Sequence, residues 1–529
     1  MADLLSLLSL GYFPAKLPAP FTTANFAEVM VNNVGGIPQS FANPPKSKPL
    51  RHSFARVGIN RRLSSIPNPT SQHNLCLDIA SNWGMLHHVA SLSSISCSKP
   101  IIKQNAHRAL EPIKTFDDLP AIRLQTRATA KFILKADVAQ CYPSIYTHCI
   151  PWAIHGKAFA KNKANRGYQH IGNSLDRWVS KGQDEQTNGI PIGPDTSFLI
   201  SEIILSAIDD ELEKNLGNIK GFRYVDEYEM GFHTRAEAES ALSILRTILR
   251  EYELGLNTDK TEIIELPVRI ESKWVPKLRS FPFRNTPKAQ ATDLMTYFDL
   301  TFELAHEHPK EHILKYSIAR LSPRDDAKNA VDSSNWPLLQ NFLFQCLMVE
   351  TGTFLPILDI LIQYHKLGFN IDINSVSEVL NTQIVHQCAS NYGSEAAWSV
   401  WASIFFGISI GANAARELSK MIDPIVVLLA LDARQRGLVP VGLDTSLWES
   451  YMDQASLYES QWLLAYEANV KNWLPSKSNN DHVLSDPNFR FLKMNGVEFY
   501  DIIKLPSAVP AGEEVDEDIF APLYEDVFY

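Results

Sequence analysis

The sequence predicts an α+β domain, then an all-α half and an acidic C-terminal tail. Three observations carry this reading. Strand-like runs at 131–136, 221–225 and 261–266 are interspersed with helical patterns over residues 76–285, the mixture expected of an α+β fold. From about residue 286, segments at 290–306, 309–321, 336–350, 353–366, 374–391, 395–410, 413–434 and 445–470 carry apolar residues at three- and four-residue spacing. Short amphipathic helices in such succession suggest a helical repeat or irregular bundle. After Lys504 there is no basic residue, while Glu513, Glu514, Asp516, Glu517, Asp518, Glu525 and Asp526 follow.

These observations divide the 529 residues into four parts. Residues 1–75 are rich in Pro, Ser and Asn and read as an extended arm with short helices rather than an independent core. Residues 76–285 form the α+β domain, 286–480 the helical domain, and 481–529 a C-terminal extension carrying the acidic tail. The net charge of −10 is unevenly spread. Lys46, Lys48, Arg51, Arg56, Arg61 and Arg62 make a basic run without an acid, so the chain is polarised from a basic arm to an acidic tail. No apolar run approaches the ~20 residues that span a membrane, and the opening residues lack a basic signal-peptide region. The six cysteines form no CxxC pair; they fit a reducing cytoplasm and argue against structural zinc.

The densest chemistry lies in Phe222-Arg-Tyr-Val-Asp-Glu-Tyr-Glu-Met230, which sets Asp226-Glu227 at the expected turn of a β-hairpin. Upstream, Asp137 follows the apolar run Phe132-Ile133-Leu134. Two strands that deliver acids to one point suit two-metal nucleotidyl transfer, where Mg²⁺ ions about 3.5–4 Å apart take oxygen ligands. A lone aspartate is usually a solvated turn acid; the paired pattern favours metal ligation by Asp137 and Asp226, with Glu227 auxiliary. Tyr142, five residues after Asp137, is either a core aromatic or a platform under the incoming sugar that rejects a 2′-hydroxyl. In Asn188–Ser197, Gly189 and Gly193 allow close backbone approach and Ser197 is a candidate helix cap. Lys260 is a candidate for neutralising a triphosphate or protonating pyrophosphate. Arg123 and Arg127 are candidate phosphate contacts. The basic run, interleaved with His52 and Phe54, suits contact with a folded RNA.

In order, these segments resemble the palm motifs of reverse transcriptases: motif A at Asp137–Tyr146, B at Gly189–Ser197, C at Tyr224–Glu227 and D at Gly255–Lys260. Gly11–Thr23, Ile190-Pro-Ile-Gly-Pro194 and the helical half are most similar to the bacterial defence-associated branch, the abortive-infection and unknown-group enzymes. The likeness covers residues 8–285 by motif and the remainder by architecture only. It implies a palm and fingers followed by a HEAT-like helical domain. It also implies a cytoplasmic homo-oligomer that copies a partner non-coding RNA into DNA from deoxynucleoside triphosphates, in anti-phage defence. Two Mg²⁺ ions, or Mn²⁺, would sit at Asp137, Val138, Asp226 and Glu227. The product would be repetitive or homopolymeric DNA. Two departures stand out: Glu227 replaces the second aspartate of motif C, and Ile192 stands where motif B usually has glutamine. Members of this branch often start DNA on their own hydroxyl. The acidic, aromatic tail, able to imitate single-stranded nucleic acid, makes Tyr524 and Tyr529 the priming candidates. Template-independent nucleotide addition and a decayed RNA-binding scaffold remain open as alternatives.

Overall fold

A computed structural model describes residues 3–56, 60–103, 106–323 and 331–512. Among them, strands β1 (Leu50–Ala55) and β2 (Arg61–Ile66) form one antiparallel hairpin, and β3 (Pro100–Ile101) pairs with β4 (Glu111–Pro112). The remaining strands, β5 (Phe132–Asp137), β6 (Gly221–Tyr224), β7 (Glu227–Phe232) and β8 (Glu262–Glu265), make an antiparallel sheet in the order β6-β7-β5-β8. Ile133 and Leu134 of β5 are fully buried, as are Tyr228 and Met230 of β7. Against the sheet lie the helices Asp195–Leu216 and Arg235–Glu251. The second begins with a capping box, in which the Thr234 and Glu237 side chains each bind the other's backbone N–H. The fold is thus an α+β domain followed by a helical region, as the pattern of strands and amphipathic segments implies.

Residues 3–75 depart from the extended arm expected of them. The helices Leu4–Ser9 and Ala24–Asn32 bury Leu7, Leu8, Phe26 and Met30, and Tyr12 and Phe41 are equally enclosed. The prolines turn the chain without preventing burial of the apolar residues between them. This segment joins the two ends of the described chain: the Thr22 N–H donates to the Phe499 carbonyl at 3.1 Å and the Asp501 N–H to that of Pro20 at 2.7 Å. Phe26 and Phe499 lie with ring centres 5.3 Å apart, Phe21 and Tyr500 5.0 Å apart.

Residues 47–68 are held on both sides. Toward the α+β domain, the Ser47 N–H donates to Lys181 O (2.9 Å) and the Ser65 N–H to Ile192 O (2.8 Å). Toward the helical half, the Lys48 N–H donates to Tyr458 O (2.8 Å), Asn68 Nδ2 to Leu457 O (2.8 Å) and Trp462 Nε1 to Ile66 O (3.3 Å). The buried His52 imidazole meets Asp423 at 2.7 Å.

The helical half follows its expected segments except where polar punctuation divides them. Residues 413–434 split into Ala412–Leu418 and Pro424–Gln435, because Asp423 caps the second helix by accepting from the Ile425 N–H and Pro424 supplies its first residue. Residues 445–470 split into Ser446–Glu449, the 3₁₀ turn Ala455–Tyr458 and Trp462–Val470. No helix among the described residues is long and apolar enough to cross a membrane.

Glu467 lies buried where the chain ends meet; the Phe499 N–H donates to its Oε1 and Lys471 Nζ stands 3.8 Å from Oε2. Burial, which outweighs the Lys471 charge, pushes its pKa up to about 8. The folded state therefore holds this proton at pH values where the unfolded chain has released it. Stability falls as pH rises from the ordinary carboxylate range toward 8. Glu467→Gln removes that dependence. Denaturant melts should show the variant gaining on the parent by up to about 1.4 kcal/mol per pH unit between pH ~5 and ~8.

Candidate active site

Asp137 closes β5 opposite Glu227, the first residue of β7. Tyr224 pairs with Glu227, so Val225 and Asp226 are the two residues of the turn; the expectation of Asp226-Glu227 there is displaced by one residue. The Val138 N–H donates to the Asp226 carbonyl at 3.0 Å, and the Asn257 N–H donates to that of Asp137 at 2.7 Å. These bonds fix the end of β5 between the hairpin and the segment that carries Lys260.

Val225 adopts φ = 53°, a left-handed conformation that costs a β-branched residue on the order of 1–3 kcal/mol. A buried network holds it there. The Val225 N–H donates to Ser98 Oγ at 2.8 Å, and Arg223 Nη1 donates to the Val225 carbonyl at 2.7 Å. Arg223 is fully buried. It bridges Glu202 (2.8 and 3.2 Å) and Asp209 (2.8 Å), two acids on one face of the helix Asp195–Leu216. The hydroxyls of Ser96 and Ser98 donate to Glu202 at 2.9 and 2.7 Å, and that of Tyr228 to Asp209 at 2.8 Å. The sequence reading missed Arg223; its signal was a cation inside a strand, matched by acids seven residues apart on the preceding helix.

Burial, with the Asp137 charge as the next cause, pushes the Asp226 carboxyl up to about pKa 6. Lys260, at the end of the 3₁₀ turn Thr258–Lys260, places Nζ 2.7 Å from Asp137 Oδ2 and 3.4 Å from Glu227 Oε1. Partial burial, the largest single influence, pulls the Lys260 pKa down, but the hydrogen bond to Asp137 and the charges of Asp137, Glu227 and Asp226 together outweigh it and the net shift is upward. Glu227 is largely exposed. No group of three or more His, Cys, Asp or Glu side chains among the described residues is assembled to hold a metal. The two aspartates nevertheless fit a hard divalent cation. They offer oxygen donors alone, their mutual repulsion is relieved by positive charge, and an ammonium already occupies that role.

The other candidates are placed as follows. Tyr142 is buried in the short helix Cys141–Ser144, with Ser201 Oγ donating to its hydroxyl at 3.1 Å and the Ile190 N–H to its carbonyl at 2.9 Å. Gly193 has φ = 132°, and a Cβ there would come within 2.8 Å of Pro14 Cγ and Ser64 Oγ, so glycine is required. Ser197 does not cap: the helix starts after Pro194, leaving Ser197 buried in the first turn. Arg123 and Arg127 face Glu229 at 3.4 and 2.8 Å, so both charges are engaged with β7. Of the basic run, Lys46 pairs with Asp184 (2.8 Å), Lys48 with Glu459 (2.8 Å) and Arg61 with Glu395, while Arg51 donates to Ser65 Oγ (2.6 Å). The hairpin is docked rather than presented as an arm, and Arg56 and Arg62 line a pocket beside Gly193. Arg108, unforeseen in the sequence, ties the loop by donating to Asp195, Phe13 O (2.7 Å) and Gly193 O (3.1 Å). Tyr524 and Tyr529 lie outside the described residues.

A small antiparallel sheet that brings aspartates from a central strand and the adjoining hairpin to one edge defines a polymerase-type palm. Residues 91–287 match the family of reverse transcriptases (RNA-dependent DNA polymerase), so this part of the chain is a reverse transcriptase domain. No curated protein matches the chain. Among solved structures it is similar to a Candida tropicalis apo telomerase truncated from the C-terminal domain, at 13% identity and a TM-score of 0.31, over 47% of this chain and 56% of that one. It is also similar to apo telomerase from Candida tropicalis, at 13% identity and TM-score 0.33, covering 63% and 67% of the two chains. A third is Candida albicans telomerase in complex with a TWJ fragment of telomeric RNA, at 12% identity and TM-score 0.29, covering 66% of each. The chain thus spans little more than half of the first of these.

Arg223→Met leaves Glu202 and Asp209 buried without their cation, and urea unfolding should register a loss of about 3–5 kcal/mol. A loss under about 1 kcal/mol would mean that the network is not what holds the turn.

Proposed function

We propose that the chain is an RNA-directed DNA polymerase of an anti-phage defence system, copying a partner non-coding RNA into repetitive or homopolymeric DNA. The observation that carries the reading is the placement of Asp137 and Asp226 at one sheet edge, close enough for each charge to act on the other, with Lys260 bound to Asp137. Asp137, Asp226 and the Val138 carbonyl are the oxygen donors for Mg²⁺ or Mn²⁺, which supplies Lewis-acid charge at the α-phosphate when bound. Glu227, exposed beside them, adds negative charge at the rim. Lys260 neutralises and protonates the departing pyrophosphate. Tyr142, packed under the loop that ends in Gly193, sets the floor beneath the incoming sugar. The nucleophile is a primer 3′-hydroxyl or the phenol of Tyr524 or Tyr529. The assembly is a cytoplasmic homo-oligomer.

Asp137→Asn and Asp226→Asn should each lower DNA synthesis by about a hundredfold or more. The measurement is incorporation of each single deoxynucleotide with Mg²⁺, with and without prior RNase treatment. Incorporation abolished by RNase supports templated synthesis; incorporation that survives it identifies template-independent addition. A parent protein inert under every condition with its co-purified RNA overturns the polymerase reading in favour of a binding scaffold.

Self-priming has its own readout. Tyr524→Phe with Tyr529→Phe should abolish DNA that stays attached to protein after denaturation without protease. Attachment at the parental level in the double variant removes both tyrosines as primers.

A further inference from the structure

Between residues 155 and 181 the chain reverses its overall sign. Lys157, Lys161, Lys163, Arg166, Arg177 and Lys181 stand there against a single acid, Asp176, in a chain of net charge −10. The helices Cys149–His155 and Ile171–Lys181 pack on each other, and the first also packs on the long helix Asp195–Leu216. Beside them runs a surface groove of about 720 Å³. Its wall includes Trp152, Lys161, Arg166, Tyr168, Arg177 and Lys181, and none of Asp137, Gly193, Asp226 or Lys260. The loop that carries Arg166 and Tyr168 is pinned: Asn173 Nδ2 donates to the carbonyls of Asn165 (2.7 Å) and Gly167 (2.9 Å). The acids in the wall are Asp176, tied to His148 at 2.5 Å, and the exposed Glu185. Cations lie against rings throughout. The Arg177 guanidinium is 4.5 Å from the Tyr168 ring centre and 4.7 Å from that of Trp178, and Lys157 and Lys161 stand 4.8 and 5.1 Å from that of Trp152. Tyr168 is 58% exposed, so much of its ring remains in solvent. Arg177 and Lys181 share one neutral acceptor, Asn43 Oδ1, at 2.9 and 2.8 Å. Their charges therefore stay available, unlike those of Lys46, Lys48 and Arg61, which carboxylates hold.

We propose that this groove holds a single strand of polynucleotide by its phosphates and by stacking of a base on Tyr168, apart from the sheet edge that carries the carboxylates. Cations set among aromatic faces are what such a strand needs, since every base has a π-face and every link a negative charge. An exposed ring beside a stacked guanidinium favours a base over an acidic peptide, because carboxylates answer the charges alone. At about 720 Å³ the groove matches an ordinary small-molecule site and takes a short length of strand. Lys157 and Lys163, outside its wall, continue the positive charge along the flanking chain. Stacking and phosphate contact are indifferent to base identity, so the groove anchors a strand without reading its sequence. The groove is separate from the proposed catalytic edge, and its ligand follows from its own chemistry rather than from the polymerase reading.

The test uses the full chain with Tyr168→Ala, Tyr168→Trp, Arg166→Lys and the pair Lys161→Ala with Arg166→Ala. All three side chains are exposed, so the core is left intact. Fluorescence anisotropy with short labelled oligouridylate and oligodeoxyuridylate, without nucleotides or divalent metal, needs no turnover. Tyr168→Ala should lower affinity about tenfold with the salt slope unchanged, and Tyr168→Trp should keep parental affinity. The alanine pair should flatten the slope of log affinity against log salt by about 1.4, two contacts at about 0.7 each, and Arg166→Lys should keep the parental slope. Oligouridylate carrying 4-thiouridine should crosslink on irradiation to peptides from residues 151–187, and Asp137→Asn with Asp226→Asn should leave those crosslinks in place. Equal affinity for the two oligonucleotides supports a groove that takes either strand, and a preference identifies RNA or DNA as its source. Parental affinity and slope in every substituted protein, or crosslinks confined to peptides outside residues 151–187, overturns the proposal. So does a synthetic peptide of residues 512–529 that binds with the same dependence on Lys161, Arg166 and Tyr168 while neither oligonucleotide binds, which would make an acidic segment the occupant.

Discussion

The sheet edge that carries Asp137 and Asp226 depends on one buried ion network. Arg223, with no solvent to share its charge, joins Glu202 and Asp209 of a helix to the backbone of the turn that carries Asp226. A turn that puts a valine in the left-handed region would relax toward a wider loop if left alone. Here its N–H and carbonyl are both claimed by side chains rooted in the core. The backbone of the turn that carries Asp226 is therefore held from beneath, through the N–H and carbonyl of Val225. Such preorganisation matters where a carboxylate must stay beside another carboxylate despite repulsion.

The same logic of neighbours constraining neighbours extends through motif B. Gly193 is pressed by Pro14 and Ser64, its carbonyl is held by Arg108, and the preceding Ile192 carbonyl is taken by the hairpin. The loop between Tyr142 and the long helix is thus shaped by segments before residue 70 and near residue 108. The reverse transcriptase domain as matched, residues 91–287, does not contain all that shapes its own site.

Much of this architecture was legible in the sequence because it rests on periodicity. The three strand runs fall within a residue or two of β5, β6 and β8, and the amphipathic segments mark the helical half. The spacing of Asp137 and Asp226 gave the idea of convergence, and the fold does bring them together with Lys260. Composition misled where burial is decided by tertiary partners: the proline-rich opening is core, and four of the six basic residues from 46 to 62 are engaged internally. Arg223 was hidden because its meaning lies in two acids of a different element. Arg108 was hidden for the same reason, its partner Asp195 standing 87 residues away. Helix breaks at Asp423-Pro424 were readable in principle, since a capping acid before proline is a local signal.

The stretch from Ser47 to Asn68 binds the palm side through backbone bonds to Lys181 and Ile192, and the helical side through bonds to Leu457, Tyr458 and Ile66 with Trp462. A splint fastened along both edges leaves no slack for a hinge between the halves. Any movement of one half against the other must therefore break a whole edge of this stretch at once.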